Sequence, residues 1–310
     1  MASSTDAGLL PLFTTQFSTN MELLLQQKGS KLRGKVAEGF HVGRMASPIN
    51  QVGAVSMKAP VGRYSPKQPV YAALTRPWVF PIPGEIDQYI DTFDELQTLV
   101  DPKNAYTEAA ANAAGRYWDD GLIANATGST QRGVDASSLT AETFTSTYQI
   151  SATFGTGGTA SGLTVAKMIE VQRQLRHYHN DLEMDRPSMV IGSQQASDLL
   201  NNVQFVSTEF NDKPVLVNGQ VKEFMGFDIV ISERLPQTTV GTTRGVLVFV
   251  KSGLYLGIWK DTANRIFQRP DLSGNPWDIS TTLMYGAVRT QLGKVWQILC
   301  ADTSGADITP

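Results

Sequence analysis

The stretch DPKNAYTEAAANAAGRYWDDGLIANATG, residues 101–128, decides how the rest of the chain is read. Asp101 before Pro102 supplies a capping oxygen followed by the one helical position at which a missing N–H costs nothing. Ala109, Ala110, Ala111, Ala113 and Ala114 are the strongest helix formers available, and Tyr106, Ala110, Ala113, Tyr117 and Ala124 recur at helical spacing. No proline follows until Pro187, and Asn125 with Gly128 offers C-capping chemistry. The pattern predicts a helix over residues 101–125, roughly 34 Å long at about 1.5 Å per residue. Its alanines leave a narrow face on which other backbone can pack closely. Trp118 and Leu122 lie on another flank and require cover of their own.

Composition sets the limits within which such a rod must act. With 310 residues the chain has room for a substantial core and for two domains or one elaborated domain. Hydrophobic residues at 41 % and charged residues at 18 % give a globular balance. A formal net charge of −3 argues against a free-standing nucleic-acid binder, since phosphate affinity scales with the cations offered. Cys300 is the only cysteine, which excludes an intrachain disulfide and a cysteine-rich zinc site. The start, Met-Ala-Ser-Ser-Thr-Asp, has neither the basic nor the apolar region of a signal peptide, and no apolar run is long enough to span a membrane. The reading is a soluble chain made in a cytoplasm, without a membrane partner.

Before the helix the sequence is unusual. Residues 1–35 read as an arm, closing on the basic cluster Lys28, Lys31, Arg33 and Lys35, which reads either as a solvated face or as a contact for acidic protein or enclosed nucleic acid. Residues 36–83 are rich in glycine and proline and alternate weakly. Val52, Ala54 and Ser56, then Val70, Ala72 and Leu74, fit two strands of a long hairpin whose far end carries Pro60, Gly62, Arg63, Tyr64, Pro66 and Lys67. A two-stranded ribbon is marginal alone in water, so this one must lie on another part of the protein or on another subunit. Residues 86–100 fit a strand and a helix equally well.

After the helix, the glycine-rich run 155–162 lacks both the Lys-Ser/Thr pair of a P-loop and the glycine spacing of a dinucleotide fingerprint, and reads as a linker. Thr164 caps a second amphipathic helix carrying Val165, Met168, Ile169, Gln172, Leu175, Tyr178 and Leu182. Met189-Val-Ile-Gly reads as a buried strand, with Ser193 capping a short helix through Leu200. Asn218-Gly219 is the pair best suited to a two-residue type I′ turn, and Met225-Gly226 breaks or bulges the sequel before Phe227-Asp-Ile-Val-Ile231. Residues 245–250 and 254–259 make further strands, and residues 283–290 and 294–301 read as an antiparallel pair about Gly293. The metal-like cluster His177-Tyr-His179-Asn-Asp181-Leu-Glu183 is poorly placed on a helix, where residues two apart point away from one another. A polar helix end accounts for it.

The order of elements is arm, long hairpin, long helix, second helix, strand, helix, hairpin and closing strands. Together with Met189-Val-Ile-Gly-Ser, Asn218-Gly219 and Met225-Gly-Phe-Asp-Ile-Val-Ile-Ser-Glu-Arg-Leu-Pro236, it resembles the major capsid proteins of tailed bacteriophages, of the Hong Kong 97-type fold. The resemblance implies an α+β architecture in which residues 1–35 are an N-terminal arm, 36–83 an extended loop on a neighbouring subunit, 84–188 a peripheral domain including a spine helix at 101–125, 189–278 an apical domain, and 279–310 return strands and tail. It implies self-assembly into hexamers and pentamers of an icosahedral virion head around double-stranded DNA, held by non-specific proximity. It further implies a portal, a separate scaffolding protein and a decoration protein as partners, and no cofactor. Arg44, Lys58, Arg63 and Lys67 are the cations expected to meet carboxylates across the loop contact. An encapsulin-like nanocompartment shell is the nearest alternative, another structural virion protein shares the composition, and a metal-dependent hydrolase using His177, Asp181 and Glu183 is the alternative of a different class.

Overall fold

The computed structural model describes residues 24–59, 62–67, 69–91, 103–201, 216–217, 220–221, 223–239 and 243–302. Strands β1 (Ala37–Phe40), β2 (Gln51–Val52), β3 (Leu74–Thr75), β4 (Pro77–Trp78) and β5 (Ile82–Ile90) precede the long helix, Lys103–Thr127. Next come β6 (Thr130–Arg132), β7 (Thr140–Glu142), β8 (Gln149–Ile150), the helix Val165–His177, β9 (Pro187–Ile191) and the helix Ser193–Asn201. The closing strands are β10 (Leu216–Val217), β11 (Gln220–Val221), β12 (Glu223–Phe224), β13 (Phe227–Ile231), β14 (Gln237–Thr239), β15 (Thr243–Val250), β16 (Leu254–Gln268), β17 (Trp277–Arg289) and β18 (Val295–Ala301). Among the described residues no helix is long and apolar enough to cross a membrane.

Two sheets organise the molecule. One has four strands in the order β1-β16-β17-β5, and the other has the order β12-β13-β9-β15-β18-β8, with β14 beside β15. The second sheet is buried on both faces. Met189, Ile191, Val246, Val248, Val250, Trp296 and Ile298 pack with Met168, Val171, Leu175 and Leu199 of the two shorter helices. Val190, Leu247, Phe249 and Val295, between them along the same strands, join Trp118, Leu122 and Ile123 of the long helix and Leu256, Leu283 and Tyr285 of the four-stranded sheet. Burial on both faces explains why residues 246–250 read as an unbroken apolar run.

The long helix has 25 described residues and ends beside Gly128, where the sequence places its stop. Asp101 and Pro102, its expected start, lie outside the described residues. Ala110, Ala114, Trp118 and Leu122 step along one side of it, and Asn112, Gly115, Asp119 and Ile123 along another, all buried. Trp118 lies 4.9 Å from the Tyr285 ring, and the Tyr285 hydroxyl donates to the Tyr117 carbonyl at 2.8 Å. Burying side chains of this size is worth about 1.5–3 kcal/mol each. The last turn of the helix carries no basic residue of its own. Buried Arg289 of β17 supplies the charge, donating to the carbonyls of Ala126 at 2.7 Å and Gly128 at 3.0 Å.

Several expectations are corrected here. Among the described residues the long hairpin is paired only at its base, where Gln51 faces Thr75, Val52 faces Leu74, and Gly53 N–H donates to Ala73 at 2.7 Å. The second helix is capped by Thr164 as expected but ends at His177, because Tyr178 and then His179, at φ 58°, leave helical geometry before Leu182. Ser193 lies inside its helix: Gln195 reaches back to Gly192 N–H at 3.2 Å, which makes Gly192 the cap. Met225 and Gly226, at φ 49° and 80°, form a tight reversal with Phe224 facing Phe227, a hairpin turn and not a bulge. Residues 283–290 and 294–301 do not pair with each other: β17 lies between β16 and β5, whereas β18 lies between β15 and β8. The turn Leu292–Lys294 carries the chain from one sheet to the other. Finally, β5 settles residues 82–90 as strand, β16 continues to Gln268, and 92–100 lie outside the described residues.

At Gly115 the helix meets the backbone of the N-terminal segment. A Cβ there would sit 2.4 Å from the Gly29 carbonyl carbon and 2.7 Å from Ser30 N, backbone atoms that cannot swing aside. Gly115→Ala is therefore expected to destabilise by about 1–3 kcal/mol despite its better helix propensity. Chemical denaturation measures the loss, and an unchanged or raised midpoint would show that the segment yields without cost.

Candidate assembly surface

The extended segment between β1 and β5 is fixed at its root. β1 runs parallel to β16, and His41 N–H donates to Ile258 at 2.9 Å. The His41 ring meets the Tyr255 hydroxyl at 2.7 Å, and the Trp259 indole donates to the Gly43 carbonyl at 2.7 Å. Burial lowers the His41 pKa and raises that of Tyr255. Ala46 and Val79 exchange backbone bonds at 3.0 and 2.8 Å. Arg132 then ties the two-rung base to the body, donating to Gln51 at 3.0 Å, to Glu142 at 2.7 Å and to the Thr290 carbonyl.

Past Gly53 the described residues stand clear of the body. Met57 and Tyr64 are fully exposed, Tyr71 is 87 % exposed, and Val55 and Leu74 are more than half exposed. At the far end, Ser65 bonds back to the Gly62 carbonyl at 3.0 Å across Tyr64, which has φ 64°. Arg44 sits at the root, Lys58 midway, and Arg63 and Lys67 at this turn; all four are exposed, and none pairs with a carboxylate among the described residues. Apolar and cationic side chains are here held together away from any core of the described residues. One signal of this was legible and missed: from Gly39 to Gly84 the sequence has Arg44, Lys58, Arg63, Lys67 and Arg76 but no aspartate or glutamate.

The other basic cluster behaves differently. Lys28 pairs with Glu108 at 3.9 Å, Arg33 forks onto Asp261 at 2.9 and 2.8 Å, Lys35 meets Asp228, and Lys31 donates to the Ile231 carbonyl at 2.8 Å. These cations fasten the N-terminal segment to its own chain. The centre of that fastening is Asp119, fully buried and held by hydrogen bonds from the N-terminal segment. Its carboxylate accepts from Gln27 Nε2 at 2.6 Å, from the Ser30 hydroxyl, and from the backbone N–H groups of Lys31 at 3.0 Å and Leu32 at 3.2 Å. Asn112 accepts from Gly29 N–H at 3.1 Å two turns before Asp119, and Arg116 donates to Gln26 at 2.9 Å one turn before it. Sequence reading missed Asp119 because Asp119-Asp120 looks like an exposed acidic pair.

A second buried charge is Lys167, whose ammonium donates to the carbonyls of Ser161, Gly162 and Leu299 at 2.9, 2.9 and 3.2 Å and whose pKa burial lowers. Nearby Cys300 is a core thiol pushed up to about 12 by burial. Of the metal-like cluster, His177 closes its helix, His179 lies beyond it, and Asp181 caps its own turn by accepting from Glu183 and Met184 N–H at 3.1 and 3.3 Å. Among the described residues no three His, Cys, Asp or Glu side chains converge on a common point.

The fold is that of tailed-phage capsid shells. The capsid of cyanophage P-SCSP1u superposes with a TM-score of 0.73 at 15 % identity, over 98 % of this chain and 97 % of that one. The capsid of cyanophage Pam1 gives 0.69 at 13 % identity over 97 % and 99 %, and the capsid of a native GTA particle gives 0.68 at 13 % over 97 % and 99 %. The phage capsid protein family matches residues 10–302 in sequence, and the chain belongs to that family. No curated protein matches it in sequence. The Hong Kong 97-type architecture expected from the order of elements is the one observed, and the chain is a structural protein of the virion capsid, not a nanocompartment shell.

Removing the Asp119 acceptor leaves four donors facing a buried gap. Asp119→Ala is expected to cost about 2–4 kcal/mol and Asp119→Asn, which keeps one oxygen, about half of that. Urea denaturation with limited proteolysis of the residue 26–32 segment tests the assignment; equal loss in both variants would place the cost in packing instead.

Proposed function

We propose that this major capsid protein assembles head to tail into hexamers and pentamers and that these close into an icosahedral head around double-stranded DNA. The observation that carries the reading is the loop of residues 42–74, whose described residues are tied to the body only at its base and present apolar and cationic side chains outward. Such a loop gains its cover from a neighbouring copy. Residues 36–83 are then the intersubunit loop, and the long helix on its four-stranded sheet is the spine of the peripheral domain. The doubly buried sheet with its two shorter helices is the apical domain: it draws the helix Val165–His177 from residues 84–188 and β18 from 279–310, and leaves β16 and the start of β17 to the four-stranded sheet. Each contact need contribute only a few kcal/mol, because a closed shell repeats it many times and the second contact of any subunit is effectively intramolecular.

Enclosed DNA is held by the geometry of the shell, since a chain of formal charge −3 offers phosphate little attraction. A portal at one vertex, a separate scaffolding protein and a decoration protein complete the set of partners, with assembly in the bacterial cytoplasm. The subunit acts as a building block without catalysis.

Expression of the full chain, followed by negative-stain electron microscopy and sedimentation, tests this reading. Closed shells, or rings of six and five, are expected; a strictly monomeric or dimeric species even beside a scaffolding chain would overturn it. Arg63→Glu is expected to reduce assembly while leaving the circular dichroism of the monomer unchanged, and normal shells from that variant would remove Arg63 from the interface.

A further inference from the structure

Where the chain crosses between the two sheets, a hollow of about 300 Å³ opens that the shell reading does not use. Both crossings meet there: Lys251–Gly253 joins β15 to β16, and Leu292–Lys294 leads from β17 to β18. They are tied together, the Thr290 hydroxyl donating to the Ser252 carbonyl at 2.7 Å and the Lys294 ammonium to the Ser252 hydroxyl at 2.9 Å. Arg132 and Glu142 reach the hollow from β6 and β7, Tyr148 from just before β8, Tyr178 and Asn180 from beyond the helix Val165–His177, and Gln291 and Lys294 from the turn. The Tyr148 and Tyr178 rings lie 5.6 Å apart, and both lean on Trp296, at 5.4 and 5.7 Å. The turn is pressed onto Tyr178, since a Cβ on Gly293 would lie 2.8 Å from that ring, and Asn180 Nδ2 donates to the Gly293 carbonyl at 3.0 Å. These walls are fixed before anything enters.

The charge around the hollow is positive, although the whole chain has a formal charge of −3. Of the residues that line it, Arg132 and Lys294 are cations and Glu142 is the one acid, already bonded to Arg132 at 2.7 Å. Next to Glu142 is Arg289, fully buried, which donates to the Glu142 carbonyl at 3.2 Å and leaves its Nε without a partner among the described residues. Burial lowers the Arg289 pKa; Glu142 opposes that shift, and the charge of Arg132 adds to it. Asp185, the acid at the other side of the joint, is turned to Ser252 N–H at 3.1 Å. Donors are in surplus as well. Lys294 uses one of its three N–H groups on Ser252, and Arg132 uses three of its five, on Glu142, Gln51 and the Thr290 carbonyl.

We propose that this hollow binds a small oxyanion of the phosphate class, held between the Lys294 ammonium and the Arg132 guanidinium, with the Tyr148 and Tyr178 hydroxyls and the Gln291 amide completing its shell. Donors that arrive from separate segments of chain suit an anion with oxygens on every side, whereas a carboxylate presents two on one edge. Since Arg132 also holds Gln51 at the base of the extended loop, an anion seated on it bears on the joint between the sheets and on the loop base at once. The site belongs to the single chain and stands apart from the shell reading.

Isothermal titration of inorganic phosphate into the purified full-length chain, with ionic strength matched by chloride, tests the site. One phosphate per chain is expected, with a Kd of about 1 mM, so that 10 mM phosphate raises the melting midpoint by about 2 °C. Lys294→Gln keeps a donor for Ser252 while removing the charge, and is expected to weaken binding about tenfold; Tyr178→Phe keeps the ring and is expected to weaken it about threefold. Lys58→Gln, on the loop, is expected to leave it unchanged, and acetate is expected not to compete. Displacement of phosphate by a short DNA duplex would assign the site to a nucleic-acid backbone, and its absence to the free ion; both outcomes uphold the phosphate chemistry. The absence of saturable binding, undiminished binding in Lys294→Gln, or competition by acetate equal to that of phosphate would overturn the inference and leave the shell reading as it stands.

Discussion

Gly121 lets the long helix approach β17 so closely that an added Cβ would lie 2.0 Å from the Tyr285 hydroxyl, and Gly115 does the same toward the backbone of Gly29. Two glycines at helix positions cost roughly 1 kcal/mol each in propensity. The contacts they permit outweigh that cost. Tyr285 stacks near Trp118 and bonds the Tyr117 carbonyl, and the N-terminal segment lies against Asp119 with four donors satisfied. The helix is thereby fixed on two sides, and everything exported toward neighbours starts from a rigid rod. The loop root at His41 and the strand β5 are both attached to the sheet this rod packs on.

A second consequence of close packing is that polar groups are buried with their partners already inside the chain. Asp119 takes backbone N–H groups, Lys167 takes three carbonyls, and Arg289 takes the carbonyl end of the long helix. Each of these charges is compensated by backbone that belongs to another element, so each joins two elements in one register. Directional bonds of this kind specify how the N-terminal segment, the linker at residues 161–162 and the end of the helix sit, in places where apolar contact alone would allow sliding.

Much of this was legible. The alanine-rich helix with Gly128 after it, the Thr164 cap, the antiparallel pairing of β10 with β11, and the buried runs at 189–191 and 246–250 all follow from local chemistry. The misses share a physical cause. Whether β17 pairs with β18 or with β16 and β5 depends on partners far away in sequence, which periodicity does not encode. Residues 260–268 form a strand although mostly exposed, so they carry no apolar alternation to read. Met225 accepts a positive φ because Gly226 and the pairing of Phe224 with Phe227 fix the turn around it, a tertiary override of residue preference. Asp119 is indistinguishable from Asp120 in sequence, yet one is buried and the other forks onto exposed Arg234.

The division between internally paired and unpaired cations gives the subunit two electrostatic regimes. Around residues 28–35 the pairs are short-range, partly shielded and satisfied before any neighbour arrives. On the loop they are exposed and open, where salt screens them within about 8–10 Å and a single pair is worth no more than about 1 kcal/mol. Weakness at that level is an advantage for a shell. With the loop as the proposed contact, a subunit that docks wrongly makes one or two such contacts and leaves, whereas one that docks correctly makes the full set around a ring and stays. Rigidity in the body and weakness on the loop are therefore complementary requirements, because only a fixed rod can present many weak contacts in the same geometry every time.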